Sequence, residues 1–120
     1  MSNVLLLLPG DGIGPEVIHE AVGVLDALRC NHGLNVESAN ELIGGASIDR
    51  YGIPLSVETL EKARASRAVL MGAVGGPRWR DMSFEKRPEQ GLLDLRKSLG
   101  LYANLRPRQL LFGVGRCLDA

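Results

Sequence analysis

Residues 9–17 read PGDGIGPEV, and they follow a continuous apolar run from Val4 to Leu8. An apolar run of this length that ends in a turn is typical of a parallel strand buried on both faces. Pro15 suits the first turn of a helix, where a missing N–H costs nothing, and Glu16 suits the positive end of the helix dipole. The stretch therefore predicts a strand, a glycine turn and the start of a helix.

The spacing of the glycines separates this turn from two well-known phosphate-binding loops. The dinucleotide fingerprint requires Gly-x-Gly-x-x-Gly, whereas the three glycines here alternate and Pro15 follows the last. Glu37 and Glu41 lie at about the right offset for the ribose-binding acid, but neither clearly ends a second strand. The P-loop pattern fails because no Lys-Ser or Lys-Thr follows. Two interpretations stay open: a tight structural turn, or a helix N-terminus that faces a ligand.

Strands and helices are predicted to alternate beyond this turn. A helix with one apolar stripe follows and ends near Gly33, and residues 34–38 form a short strand. Strand, helix and strand in this order predict a βαβ unit with a parallel pair and a right-handed crossover. The predicted stripe consists of Val17, Ile18, Ala21, Val22, Leu25 and Leu28.

The second half of the chain continues the pattern. Residues 42–55 are rich in glycine without clear period and predict mostly loop, after which Ser56 caps a helix. Residues 68–74 predict a second buried strand. A short leucine-rich helix ends at Gly100, and residues 101–107 predict one more strand. The inward positions of the Ser56-capped helix are predicted to be Val57, Leu60 and Ala63.

Length and composition exclude several classes of function. A chain of 120 residues with 45% hydrophobic residues fits one domain of ordinary size. Because 14 basic residues balance 14 acidic ones, we expect no nucleic-acid partner. No apolar segment approaches the length of a membrane span, so we expect no membrane partner. Cys30 and Cys117 match no metal spacing and indicate reduced thiols in a cytoplasmic protein.

Two further stretches carry side chains suited to binding a ligand. GAVGGPRWRD, residues 72–81, lies where a predicted strand ends, which is the ligand-binding end in open α/β sheets. Arg96 and Arg106 lie on a predicted helix and at the end of the next predicted strand. Paired guanidinium groups suit a substrate with two carboxylates, although both arginines also fit a solvated surface. Leu92 and Leu93 fit either the core or an apolar pocket for an alkyl group.

Several of these stretches, met in one order, resemble a known family. LLPGDGIGPEV, GGASID, GAVGGPRW and RPEQGLLDLRKSLGLYANLRP are similar to the isocitrate/isopropylmalate dehydrogenase family, and within it to the 3-isopropylmalate dehydrogenases. The resemblance covers residues 4–107. It implies a three-layer α/β fold that is not a Rossmann fold, of which this chain is expected to be an incomplete N-terminal part. It also implies that residues 1–100 belong to a first domain and that residues 101–120 begin a second.

The resemblance implies an activity as well as a fold. Members of the family oxidise a 2-hydroxy acid with NAD and decarboxylate the product with Mg or Mn as Lewis acid. The apolar pair Leu92 and Leu93 favours an alkyl substrate, (2R,3S)-3-isopropylmalate of leucine biosynthesis, over one with a third carboxylate. The family resemblance also implies a homodimer in the cytoplasm that acts on this small molecule.

Site residues follow from the match to the family's motifs. Arg96 and Arg106 are expected to hold the malate carboxylates, and Leu92 and Leu93 to contact the isopropyl group. Glu89 is expected between that group and the nicotinamide, and Ile13 near the adenosine. The expected cofactor-side residues are Ile13, Gly75, Gly76, Pro77 and Glu89.

The resemblance places the acid–base groups and the metal ligands of the family beyond residue 120. We therefore expect no catalytic residue and no metal ligand within this chain, and no turnover by the 120-residue chain alone. The alternatives are part of a tartrate- or malate-type decarboxylating dehydrogenase, a non-catalytic interaction protein, and a stand-alone nucleotide-binding module.

Overall fold

The structure, a computed structural model, describes residues 3–106 as alternating strands and helices, which confirms the predicted α/β class. Two single 3-10 turns, Pro77–Trp79 and Phe84–Lys86, lie between the last strand and the last helix. The main elements in chain order are β1 (Val4–Gly10), α1 (Gly14–His32), β2 (Glu37–Asn40), α2 (Gly45–Tyr51), α3 (Val57–Ala65), β3 (Ala68–Ala73) and α4 (Pro88–Ser98).

The three strands form a parallel sheet in the order β2-β1-β3. In the centre of the sheet, Leu6 of β1 pairs with Ala39 on one side and with Val69 on the other. Leu6, Leu7 and Leu8 are almost completely buried, because β1 is covered on both faces. The prediction of a strand buried on both faces is confirmed.

Helices pack on both faces of the sheet, so the fold has three layers with the sheet in the middle. Leu6 and Leu8, which share one face of β1, form a buried cluster with Ile43, Ala63 of α3 and Leu95 of α4. Helix α1 packs against β1 and β3, with Ile18 buried. From β1 the chain moves to one edge of the sheet at β2, and from β2 it crosses to the other edge at β3. Because right-handed crossovers in opposite directions lie on opposite faces, α1 and α3 cover opposite faces of the sheet.

The predicted starts and ends of two helices are confirmed. Helix α1 carries Pro15 in its first turn and ends at Gly33, whose φ of 64° lies in the left-handed region. Ser56 begins α3, since its Oγ accepts a hydrogen bond from the N–H of Thr59 at 3.1 Å.

Three predicted inward positions are wrong. Val17 and Leu28 of α1 and Val57 of α3 are exposed. The sheet beneath α1 is narrow and contacts only one strip of the helix. This strip consists of Ile18, Ala21, Val22 and Leu25. Val57 is the first residue of α3, where the chain turns outward from the cap.

The boundaries of three other segments differ from the prediction. The second strand lies at Glu37–Asn40 instead of 34–38, because Val4 pairs with Glu37. Residues 42–55 contain helix α2, which has no apolar period of its own. Residues 101–106 are exposed and form no regular element, so the predicted strand is wrong over that range. Pro107 and Cys117 lie outside the described residues, and Cys30 is an exposed free thiol.

Candidate functional site

The loops that follow β1 and β3 meet at the carboxyl edge of the sheet. These two strands are parallel neighbours, so both loops lie at the same edge, and the crevice outside the carboxyl ends of the strands is where open α/β sheets bind ligands. The backbone N–H of Asp11 donates to the carbonyl oxygen of Ala73 at 2.6 Å across this crevice. PGDGIGPEV therefore lies at the edge where a ligand site is expected.

Asp11 is buried in this crevice, with 5% of its surface exposed. Its carboxylate accepts three backbone hydrogen bonds: from Gly45 and Ala46 at 2.7 Å each, and from Gly75 at 3.0 Å. A buried charge requires such partners, because an unpaired carboxylate away from water is strongly unfavourable. Asp11 was not predicted as a site residue, because an aspartate between two glycines is typical of an exposed turn.

The Asp11 carboxylate supports the interpretation of the opening stretch as a tight structural turn. The N–H groups of Gly45, Ala46 and Gly75 are the kind of donors that cradle a phosphate, but here an internal carboxylate occupies them. The stretch is therefore a turn with a structural role at these donors. A ligand-facing role for the start of α1, next to the exposed Ile13, stays a prediction.

The loop after β3 is held against α2 by polar and aromatic contacts. Arg78 Nη1 lies 2.8 Å from Asp49 Oδ2, and the indole Nε1 of Trp79 donates to Asp49 Oδ1 at 3.4 Å. The Trp79 ring covers Gly45, so that a Cβ at this glycine would overlap the ring. Loop 76–80 and the start of α2 thus form one packed unit beside Asp11.

The predicted cofactor-side residues fall into two places. Gly76, Pro77 and Glu89 line one cleft of about 320 Å³, together with Trp79, Arg80, Arg87 and Pro88. Gly75 lies directly below Glu89, since a Cβ at Gly75 would come within 2.5 Å of Glu89 Oε1. Ile13 lies in a separate apolar groove on the first turns of α1, with Pro15 and Val17.

Four predicted substrate-side residues share one face of α4. Glu89, Leu92, Leu93 and Arg96 are spaced by three and four residues, so their side chains stack along the helix. Glu89, Leu93 and Arg96 are exposed and Leu92 is half-buried, whereas Leu95 faces the core. Of the two interpretations of the leucine pair, the core interpretation is wrong for Leu93.

Arg106 lies in the exposed segment 101–106, outside any regular element. Neither Arg96 nor Arg106 forms an ion pair with another residue of the described part of the chain. Their convergence on one substrate stays a prediction.

Glu41, a candidate for a ribose-binding acid, is engaged in an ion-pair network. Lys62 contacts both Glu41 and Glu58, and the contact to Glu58 measures 2.8 Å. The hydrogen bond from Lys62 lowers the pKa of Glu58, and the hydrogen bonds to Glu41 and then to Glu58 raise the pKa of Lys62. Glu37, the other candidate, is exposed at the start of β2.

Neither a metal centre nor a membrane span is found in residues 3–106. No group of three or more His, Cys, Asp and Glu side chains there is arranged to hold a metal ion. Over the same residues, every helix is too short or too polar to cross a bilayer.

The comparisons with known proteins agree with the motifs. The family model of isocitrate/isopropylmalate dehydrogenase matches residues 4–117, ten residues beyond the point where we expected the resemblance to end. The chain is 56% identical over 110 residues to a 3-isopropylmalate dehydrogenase of Xanthomonas oryzae pv. oryzae, which covers 92% of this chain and 31% of that protein. It is 54% identical over 107 residues to one of Pseudomonas fluorescens, covering 89% and 30%.

Solved structures support the same assignment. A β-decarboxylating dehydrogenase of Thermococcus kodakarensis is similar with a TM-score of 0.64 and 39% identity, over 85% of this chain and 28% of that one. An isocitrate dehydrogenase of Methylococcus capsulatus is similar with a TM-score of 0.67 and 31% identity, over 85% and 27%. The chain thus spans less than a third of the length of these relatives. From the family match and the shared fold, the chain belongs to the isocitrate/isopropylmalate dehydrogenase family.

Proposed function

We propose that the protein is a 3-isopropylmalate dehydrogenase, which oxidises (2R,3S)-3-isopropylmalate with NAD and decarboxylates the product. The names of relatives at 54–56% identity support this reaction. The observation that carries the substrate choice is the face of α4 that presents Leu92 and Leu93 between Glu89 and Arg96.

Each residue of this face has a chemical role in the proposal. The Arg96 guanidinium binds one malate carboxylate through two parallel hydrogen bonds, and Arg106 binds the other. Leu92 and Leu93 form an apolar surface for the isopropyl group, whose burial is worth about 2 kcal/mol. A third carboxylate at this surface would lose its water without gaining a partner, so the pair disfavours isocitrate.

The cofactor side adjoins the same helix. We place the nicotinamide beside Glu89, which lines the cleft with Gly76 and Pro77, and the adenosine near Ile13. An exposed apolar side chain and a glycine loop without room for a Cβ under Glu89 fit the flank of a dinucleotide. When bound, NAD accepts the hydride, and a divalent cation stabilises the developing negative charge on oxygen. Because residues 3–106 hold no group of three or more His, Cys, Asp and Glu side chains arranged for a metal ion, we place the ligands of that cation outside them.

The arrangement of the whole protein is also part of the proposal. Residues 1–100 belong to its first domain and residues 101–120 begin the second. The protein acts as a homodimer in the cytoplasm, on a small molecule and with neither nucleic acid nor membrane as partner. The 120-residue chain alone does not turn over, because the acid–base groups lie outside it.

The test exchanges the matching segment of the Xanthomonas relative for residues 4–106 of this chain. We expect the chimera to form NADH with isopropylmalate, NAD and Mg, and the 120-residue chain to form none. Leu93→Ala in the chimera is expected to lower kcat/KM for isopropylmalate roughly tenfold or more relative to malate. Leu101→Ala, which removes an exposed leucine outside α4, is the matched control and leaves the ratio unchanged.

Three outcomes would contradict the proposal. A chimera that prefers isocitrate or tartrate would assign the chain to another member of the family. Equal effects of Leu93→Ala and Leu101→Ala would remove Leu93 from the substrate site. Turnover by the 120-residue chain at a rate similar to the relative would refute the absence of acid–base groups.

A further inference from the structure

We infer that Asp11 is a positioning residue that fixes loop 75–77 and, through Gly75, the support of Glu89. The loop and Glu89 matter for the dehydrogenase reaction only under the proposed function, so the catalytic meaning of this inference rests on that proposal. The positioning itself follows from the hydrogen bonds of one buried carboxylate.

Asp11 is clamped through both its backbone and its side chain. Its N–H donates to Ala73 O at 2.6 Å, and its carbonyl oxygen accepts from the N–H of Gly14 at 2.9 Å. These two bonds fix the Cα against the end of β3 and the start of α1. The backbone therefore sets the direction of the Cα–Cβ bond, and the three hydrogen bonds to the carboxylate hold the rest of the side chain.

The two carboxylate oxygens join segments that are distant in sequence. Oδ2 accepts from the N–H groups of Gly45 and Gly75, and Oδ1 accepts from that of Ala46. One oxygen thus links the start of α2 to the loop after β3. No other side chain in residues 3–106 accepts hydrogen bonds from both segments.

The backbone around the carboxylate approaches it closely. A Cβ at Gly44 would come within 2.5 Å of Asp11 Oδ2, so the chain before α2 meets this oxygen without a side chain between them. Asparagine has the right size, but its NH₂ group must face at least one N–H that now meets an oxygen. The Asp11 carboxylate, which carries acceptors only, satisfies all three donors.

The effect of Asp11 extends to the proposed cofactor cleft by direct contact. Gly75 has a φ of 103° and carries the Glu89 carboxylate directly above it. Gly45, bound to the same oxygen, carries the Trp79 ring, which lines the same cleft. A change at Oδ2 therefore loosens both the floor under Glu89 and the support of the Trp79 wall.

The test measures amide hydrogen exchange by NMR in the 120-residue chain and its Asp11→Asn variant. We expect the amides of Gly45, Ala46 and Gly75 to exchange roughly tenfold or more faster, because hydrogen bonds to a charged group are lost. Central β1 amides are expected to keep their rates, and the Glu89 signals to shift. Asp26→Asn, on the exposed side of α1, is the matched control and leaves these amides unchanged.

A purely structural role gives a different result. If Asp11 only contributes to global stability, all slowly exchanging amides accelerate by one common factor. That outcome, or unchanged rates at all three amides, would overturn the inference.

A second variant covers the case in which Asp11→Asn does not fold. Asp11→Gly removes the carboxylate and its Cβ, which leaves space for formate against the same three donors. We expect formate to restore the three amide signals, or the folded spectrum where it is lost, and chloride at equal concentration to have no such effect. Equal effects of formate and chloride would overturn the inference. These measurements need no substrate, so they stand apart from a failure of the chimera to turn over.

Discussion

Replacing Gly91 by alanine tests the contact that seats α4, the helix of the proposed substrate face, on the rest of the fold. A Cβ at Gly91 would lie 2.5 Å from the carbonyl oxygen and 3.0 Å from the carbonyl carbon of Pro54. Both are backbone atoms, so the overlap is relieved only if α4 or the segment before α3 moves. Overpacking of this kind costs about 1 to 3 kcal/mol.

Helix propensity opposes this loss. Alanine is favoured over glycine inside a helix by up to about 1 kcal/mol. The net expectation for Gly91→Ala is a free energy of unfolding lower by about 1 kcal/mol, and by up to about 2 kcal/mol where α4 yields little, with a midpoint of thermal unfolding lower by roughly 4 °C per kcal/mol. Urea unfolding followed by circular dichroism gives the free energy, and a thermal scan gives the midpoint.

Gly23→Ala is the matched control, because Gly23 lies within α1 and has nothing within 4 Å of the position of a Cβ. Only the propensity term acts there, so this variant is expected to be more stable by about 0.5 to 1 kcal/mol. The two substitutions are chemically identical and have opposite expected signs. If Gly91→Ala proves as stable as Gly23→Ala, the reasoning about the Pro54 contact is wrong.

The remaining predictions concern α3 and the loop after β3. Ser56→Ala removes the cap of α3 and should lower the free energy of unfolding by about 1 kcal/mol, measured by urea titration, whereas Ser56→Asp should retain it. Because Lys62 lowers the pKa of Glu58, their pair stabilises the chain above the ordinary pKa of Glu58, about 4.5, and loses this effect as the pH falls through the lowered value. Lys62→Met should therefore flatten the acid side of the stability curve, as should molar salt; an unchanged curve would contradict the assignment. Gly45→Ala should displace the ring of Trp79, the single tryptophan, and shift its fluorescence to the red, whereas an unshifted spectrum would contradict the packing of the ring on α2.

The sequence predicted those strands and helix boundaries that depend only on residues close together in the chain. Leu6 lies in a run that is apolar at every position, and β1 is indeed covered on both faces. Ser56 and Gly33 act through hydrogen bonds to residues about one helical turn away. Both helix boundaries could therefore be predicted from the local sequence.

Other features depend on partners that are distant in sequence. Helix α2 has no apolar stripe, and the N–H groups at its start bond to Asp11, 34 residues earlier for Gly45. The exposure of Val17 depends on the narrow sheet beneath α1, which no pattern within the helix reveals.

The candidate site divides in the same way. The spacing of Glu89, Leu92, Leu93 and Arg96 already implies one helical face, and the structure places them there. The role of Asp11 could not be predicted without its partners, because its three donors come from the start of α2 and from the loop after β3.

The bonds of Asp11 also bear on the order in which the chain folds. Its link to Gly45 closes a loop of 34 residues and its link to Gly75 one of 64. Since loop-closure entropy grows only with the logarithm of length, the longer loop costs about 0.6 kcal/mol more than the shorter. During synthesis from the N-terminus, β1 can pair with β2 before β3 has emerged, so the edge of β1 that β3 will occupy stays open meanwhile. The hydrogen bond from Gly75 to Asp11 therefore forms late, once the residues after β3 have been synthesised.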